Sequence, residues 1–330
     1  MAVKFKDRNY FRLSLLLLAF AGYMPALHAE STPAEPIRSK APGEKDRNGR
    51  LIRPTEAAEL TAANLNLQPG ERLVYDIRVN GMPAGKTLLE VKPGEKYRDD
   101  KTVWPVTLVT RSNRAVSLFY DVHDKARALI DVKGGFTRFF HIDRKEGDAR
   151  GQEKIYFTYD IGNMEAQYER PRSDGQWRTH RIPLTGKMLD PLSAIYYLRS
   201  MAQPRTKTDN VNDGEPAQIE LKNLKVGESF LLPICTDRRV WNTRITVKER
   251  ILSADFGGLK DRQCLVIEPE AEFKGLFERK GKMRIWVDIA TGIPLKMTVE
   301  IPIGPAEVIL SEHANSPLDT FAPAPASDQK

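Results

Sequence analysis

The segment MRIWVDIATGIPLKMTVEI (Met283–Ile301) has the most regular apolar pattern in this 330-residue chain. Apolar residues take every second position on both sides of a short Ala-Thr-Gly segment. A period of two is typical of β-strands that bury one face, and a glycine between two such runs is typical of a hairpin. The segment therefore predicts two antiparallel strands, with Asp288 capping the turn and Gly292 adopting a positive φ.

The same alternation recurs between residues 67 and 314, in the runs Leu73–Val79, Val103–Arg111, Phe136–Asp143, Ile155–Ile161 and Val240–Ile251. Pro105, inside one of these runs, indicates an edge strand or a bulge. Helical spacing is rare, and its strongest start is Asp190-Pro191, an N-cap followed by proline. We expect a mainly β domain: a large curved or partly closed antiparallel sheet with one covering helix at about 190–203.

The N-terminus has the pattern of an export signal. Four basic residues precede an apolar run of about 12 residues, and Ala29 offers a cleavage site. The run is shorter than the ~20 residues that span a bilayer, although an uncleaved anchor remains an alternative. Cleavage lowers the formal net charge from +7 to +4, which weakens any case for a nucleic-acid partner. The signal therefore predicts a periplasmic protein without a membrane span.

We divide the chain into four parts by composition: a signal peptide (1–29), a disordered leader with a short helix at Glu56–Leu65 (30–66), a β-rich domain (67–314) and a disordered tail (315–330). The chain is 41% hydrophobic and 29% charged, which excludes a multi-span membrane protein and a wholly disordered one. The length suits a single large domain once the signal, leader and tail are set aside.

Two cysteines, Cys235 and Cys264, lie in the predicted domain. In an exported protein such a pair favours a disulfide, which would stabilise the fold by ~3–4 kcal/mol. Two buried free thiols or a metal site are the alternatives. No histidine cluster and no C-x-x-C spacing accompany the cysteines, so we predict neither a metal nor a cofactor.

Sequence motifs of known catalytic sites are absent, including the nucleophile elbow, the zinc-protease helix and the glycine-rich phosphate loops. The predicted helix offers Asp190, Tyr197 and Arg199 as residues that could line a ligand site against the sheet. Capping and packing explain the same residues without any ligand.

A basic strand face is the second candidate ligand site. Arg244, Lys248 and Arg250 alternate along Val240–Ile251 and would suit phosphate or carboxylate groups. A row of this kind is also typical of a solvated edge strand that is protected against aggregation.

Three segments carry a family resemblance: Leu73-Val74-Tyr75 with the Gly81…Gly85 hairpin, the helix Asp190–Arg199, and the closing Ile285–Leu295. From about Leu73 to Leu310 the chain resembles the bacterial domain-of-unknown-function family numbered 3108. The resemblance implies an exported, β-rich envelope domain and supplies no activity or catalytic residue. The ending Trp286-x-Asp288…Gly292-x-Pro294 is also similar to the closing hairpin of periplasmic lipoprotein carriers, whose curved sheet holds acyl chains.

These observations favour a non-enzymatic periplasmic protein. Its concave apolar face would bind a hydrophobic or amphipathic envelope component, such as a lipid, or a partner protein. One alternative is a hydrolase or lyase that acts on an anionic envelope glycan through carboxylates such as Asp190 or Glu268. The other is a structural or assembly factor that uses the basic strand face.

Overall fold

The computed structural model describes residue 65 and residues 67–160, 162–172, 174–202, 219–236, 238–270, 283–301 and 304–319. Its strands and α-helices follow in chain order: β1 Arg72–Val79, β2 Met82–Val91, β3 Glu95–Lys96, β4 Thr102–Ser112, α1 Arg114–Ser117, β5 His123–Asp131, β6 Thr137–Glu146, β7 Ala149–Asp160, β8 Asn163–Pro171, β9 Trp177–Pro183, α2 Pro191–Ser200, β10 Ser229–Thr236, β11 Arg239–Ile251, β12 Cys264–Glu270, β13 Arg284–Asp288, β14 Pro294–Ile301 and β15 Gly304–Ala314.

All the strands belong to one antiparallel sheet, in which β10 to β15 are followed by β1, β2 and β4 to β9, while β3 pairs with β4. The sheet is open, with β10 and β9 at the two ends of this order. Strands therefore dominate, as the alternating pattern predicts, and the expected fold class is confirmed. The predicted closing hairpin is β13–β14.

The strands begin and end at two opposite sides of the sheet, and here each of these sides is called an edge. Because neighbouring strands run in opposite directions, the turns after β1, β4, β6, β8 and β10 all lie at the same edge, which we call the rim. The turn between β13 and β14 and the beginnings of β1 and β6 lie at the opposite edge. Helix α2 is held at this opposite edge.

Helix α2, at Pro191–Ser200, confirms the helix predicted at about 190–203, and all ten of its residues are buried. The helix packs against β4 and β5 in the middle of the strand order and against β10 at its end. A flat sheet could not bring these strands to one helix, so the sheet curls around α2. Within the described residues, neither α-helix has the length and apolarity needed to cross a bilayer.

The predicted boundaries of the domain need adjustment. Asn315–Asp319, assigned to the disordered tail, fold back on the sheet, with a 3₁₀ turn that buries Leu318. Leu65 and Leu67 at the other boundary also belong to the core. The predicted signal peptide, the rest of the predicted leader with its helix up to residue 64, and residues 320–330 lie outside the described residues.

The predicted disulfide is wrong, because Cys235 and Cys264 are both free thiols. Cys235 pairs with Val240 near one end of β11, and Cys264 pairs with Ile251 at the other end. That length of strand spans roughly 35 Å, whereas the Cα atoms of a disulfide lie about 6 Å apart. Burial raises the pKa of each thiol to about 12, which leaves both unreactive at neutral pH.

Candidate functional site

Asp190 is the N-cap of α2. One carboxylate oxygen accepts hydrogen bonds from the backbone amides of Leu192 and Ser193, at 2.7 and 3.2 Å, and the other accepts from the Thr137 hydroxyl at 2.7 Å. The carboxylate is completely buried, and burial raises its pKa. Its oxygens are engaged by the helix and by β6, so Asp190 orients α2 on the sheet.

The other helix candidates are also enclosed. Arg199 forms a bidentate ion pair with Glu71, with N–O distances of 2.6 and 2.8 Å, and each side chain is 1% exposed. Tyr197 is buried in the core. The concave apolar face, proposed from the sequence to hold a ligand, is covered around α2 by the chain itself.

The basic strand face does not form one continuous row. A β-bulge between Val247 and Glu249 breaks the alternation of β11 at Lys248. The three basic residues have separate partners: Arg244 pairs with Glu270, Lys248 pairs with Glu268, and Arg250 donates to the carbonyls of Lys222 and Leu224. Glu268, named with Asp190 as a carboxylate of the alternative hydrolase or lyase, also forms an ion pair with Arg284. It shares no ion-pair or hydrogen-bond partner with Asp190 among the described residues. The structure therefore does not bring the six predicted ligand-binding residues together.

The rim presents a different feature, an apolar tip on the β4–β5 connection. Leu118 and Phe119 follow α1 at this tip and are 81% and 91% exposed. Met82, at the start of β2 on the neighbouring rim turn, is also largely exposed. Burying such side chains is favourable, so exposure of adjacent large apolar residues marks a contact surface.

Hydrogen bonds hold this tip from both sides. Asn113 caps α1 through the amide of Val116 and donates to the carbonyl of Pro83 on β2, at 2.9 and 2.7 Å. On the other side the amide of Gly147 donates to the carbonyl of Asp121, which ties the connection to the β6–β7 turn. The fold thus presents Leu118 and Phe119 on a fixed support.

Two arginines beside the tip have no described acidic partner. Arg114 on α1 is exposed and forms no ion pair with any described carboxylate. Arg150 donates to the carbonyls of Gly147 and Ala149, at 2.7 and 2.8 Å, which leaves its charge uncompensated by an acid. Lys145 is balanced by Asp121 at 2.7 Å. An apolar tip beside uncompensated arginines suits an amphipathic partner with negative charge.

Sequence reasoning missed this tip. The sequence around Ala115–Tyr120 indicates only a short helical piece, and a Leu-Phe pair after a helical turn is usually part of a core. The available signal was the position of that pair between two long strands, where a connection is exposed to solvent.

The structure is that of an antiparallel β protein whose sheet curls around the buried helix α2. Its rim carries an exposed apolar tip with arginines beside it. The profile of the family described as Protein of unknown function (DUF3108) matches residues 74–311, so the chain belongs to that family. The match begins within β1 and ends within β15, and it therefore takes in the whole sheet.

Comparison with other known proteins adds two structural similarities. A β-barrel-like protein of domain of unknown function DUF1849 from Brucella abortus has 11% sequence identity and a TM-score of 0.44, over 74% of this chain and 97% of that chain. A DUF1329 family protein from Desulfovibrio piger has 9% identity and a TM-score of 0.21, over 77% and 87%. No curated protein matches the sequence.

Proposed function

We propose that this protein is a non-enzymatic binder of an amphipathic, negatively charged envelope lipid, which it contacts with the rim. The observation that carries the proposal is the exposure of Leu118 and Phe119 on a tip that hydrogen bonds hold in place. Insertion of these two side chains into an acyl layer would remove apolar surface from water, which stabilises the bound state by about 1.5–3 kcal/mol for each side chain.

The charge at the rim supports the same partner. Arg114 and Arg150 flank the tip without a described acidic partner, and each basic residue near an anionic surface adds about 1 kcal/mol of attraction. The apolar tip and the arginines act together only on a partner that combines an apolar layer with negative headgroups.

The proposal places the protein in the periplasm after removal of residues 1–29. The basic and apolar N-terminal pattern supports export. Two buried thiols with raised pKa values are compatible with an oxidising compartment, because neither is available for oxidation.

Flotation with lipid vesicles tests the function. Protein recovered from the periplasmic fraction, with the mass of the chain lacking residues 1–29, is mixed with vesicles of phosphatidylglycerol and phosphatidylethanolamine. We expect the double variant Leu118→Ser/Phe119→Ser to partition at least roughly a hundredfold less into the vesicles, because losing both inserted side chains removes about 3 kcal/mol or more. Vesicles of phosphatidylcholine should bind the parent protein less.

Leu252→Ser is the matched control, since Leu252 is 69% exposed but follows β11 at the edge opposite the rim. This variant should bind like the parent. The proposal fails if the double variant keeps parental binding, if Leu252→Ser loses as much, or if the parent binds no vesicle.

A further inference from the structure

The β8–β9 hairpin carries a row of basic side chains on one face. Tyr168 of β8 is buried and pairs directly with His180 of β9, and the next pair toward the rim is Arg170 with Arg178. Residues two apart on a strand point to the same side. His180 and the two arginines therefore share the face of the buried Tyr168, which is the concave face of the sheet.

The acidic residues of this hairpin lie on its other face. Glu165 and Glu169 take odd-numbered positions of β8, whereas Tyr168 and Arg170 take even-numbered ones. Glu165 forms an ion pair with Arg181 of β9. Arg170 and Arg178 form no ion pair with any described carboxylate. Like charges directly opposite each other destabilise a strand pair, so their placement without an acid requires an explanation.

A third arginine reaches the same place from the other end of the sheet. Arg238 lies in the rim turn between β10 and β11 and has a φ of 61°, a conformation that non-glycine residues rarely adopt. Burial lowers the pKa of His180, and the charges of Arg238, Arg178 and Arg170 lower it further. Strands β9 and β10 end the strand order, and the charge of Arg238 acts on His180 from the β10–β11 turn; we call His180, Arg170, Arg178 and Arg238 the seam cluster.

Two atoms of the seam cluster are buried without a partner. The Nε2 atom of His180 and the Nε atom of Arg238 are shielded from solvent and have no hydrogen bond among the described residues. The remaining parts of Arg170, Arg178 and Arg238 are open to solvent to differing degrees. Buried polar atoms are usually bonded, so these two keep hydrogen-bonding capacity that no described residue uses.

We propose that the seam cluster binds a phosphate group. A guanidinium presents paired N–H donors that match the spacing of phosphate oxygens, and three arginines can engage several oxygens at once. The neutral imidazole of His180 can donate one further hydrogen bond through Nε2. The phosphate belongs either to a free anion or to a lipid headgroup, and only the lipid source rests on the proposed function.

Calorimetric titration of the exported protein with inorganic phosphate tests the seam cluster itself. We expect Arg178→Gln and Arg238→Gln each to weaken phosphate binding at least fivefold. Arg181→Gln is the control, because it removes an arginine from the opposite face of the same hairpin, and it should bind phosphate like the parent. Circular dichroism melting of every variant shows whether a loss of binding comes from unfolding.

Vesicles containing phosphatidic acid then separate the two sources of phosphate. If a lipid headgroup is bound, Arg178→Gln loses both phosphate and vesicle binding, whereas Leu118→Ser/Phe119→Ser loses vesicle binding alone. Phosphate binding by a parent protein that ignores all vesicles assigns the seam cluster to a free anion and rejects the proposed function. Absence of phosphate binding by the parent, or equal binding by folded Arg178→Gln and Arg238→Gln, overturns the seam proposal whatever the vesicles show.

Discussion

Gly292 is the residue at which the β13–β14 turn touches helix α2. It has a φ of 69°, and a Cβ atom added there would lie 2.4 Å from the Cα of Arg199 and 2.7 Å from the carbonyl oxygen of Leu198. The turn itself is held by Asp288, whose carboxylate accepts from the amide and the hydroxyl of Thr291. A side chain at position 292 would therefore collide with helix backbone, which cannot move aside as a flexible side chain can.

Replacement of this glycine tests how much that approach matters. We expect Gly292→Ala to lower the free energy of unfolding by about 1 kcal/mol for the positive φ and by a further 1–3 kcal/mol for the collision. Gly81→Ala is the control, since Gly81 has a φ of 76° but no atom within 4 Å of an added Cβ. Urea denaturation of both variants measures the difference. Equal losses of unfolding free energy in the two variants would show that helix α2 shifts to accommodate the added methyl group.

Single residues were partly predictable from the sequence. The positive φ of Gly292 and the capping role of Asp288 follow from turn chemistry, and both predictions are confirmed. The contact between Gly292 and α2 depends on how the sheet curls, which no local pattern contains. Arg238 illustrates the same limit, because its neighbours in the seam cluster are about 60 positions away in the chain.

Helix α2 is the element that depends most on a single side chain. Its first turn is tied to β6 through Asp190, and the N-cap box is completed by the Ser193 hydroxyl, which lies 2.8 Å from the amide of Asp190. Because the whole helix is buried, the backbone N–H groups of its first turn would find no water to bond if the cap were lost.

Two substitutions at Asp190 separate its capping from its charge. Asp190→Ala should reduce the free energy of unfolding by about 2–4 kcal/mol, because it removes a cap and leaves buried donors unpaired. Asp190→Asn should cost less than about 1 kcal/mol, since one amide oxygen can still accept from Leu192 and Ser193 and the buried charge is gone. Thermal denaturation by calorimetry measures both. A loss for Asn as large as that for Ala would mean that the charge itself holds the helix.

The elements were the most predictable level of this structure. Long alternating runs produced β1, β4, β6, β7, β11 and the closing hairpin, since a half-buried strand needs that pattern. The edge strand predicted from Pro105 is wrong, because β4 lies between β2 and β5 in the sheet. The proline faces the break between β2, whose pairing ends at Val91, and β3, which begins at Glu95. Its missing N–H therefore leaves no ladder hydrogen bond unmade.

At the scale of the molecule, the ion pair between Glu71 and Arg199 joins α2 to the segment that enters β1. Both side chains are fully buried, and burial raises the pKa of Glu71 although Arg199 lowers it. A buried pair of this kind adds little net stability, but loss of one partner leaves an uncompensated charge inside the protein.

Arg199→Met should therefore destabilise the fold by about 3–5 kcal/mol at pH 8. Without Arg199, the pKa of the buried Glu71 carboxyl rises further above 4.5. The carboxyl can therefore take up a proton in the folded variant at pH 5, so the loss of stability should be smaller there than at pH 8. The double variant Glu71→Leu/Arg199→Met should recover most of the stability. Urea denaturation at the two pH values measures these differences. A loss independent of pH, or additive effects in the double variant, would contradict this account.

The candidate functional surfaces were the least predictable. Basic residues in one strand invited a ligand site, yet the structure gives Arg244 and Lys248 acidic partners on β12. The seam cluster is assembled from a hairpin and a distant turn, and the apolar tip is recognisable only from its exposure. Compartment-based reasoning about the cysteines failed for the same reason, because the strand register separates the two thiols.

The pairing of β1 with β15 has a consequence for the order of folding. Val74 and Ser311, joined by a hydrogen bond of 3.2 Å, are 237 positions apart in the chain, and β15 also separates β1 from β14. A chain that leaves the ribosome or crosses a membrane from its N-terminus therefore exposes one edge of β1 until its last strand arrives. Contacts of such long sequence separation form slowly. During that interval the free edge of β1 is open to pairing with another copy of the chain.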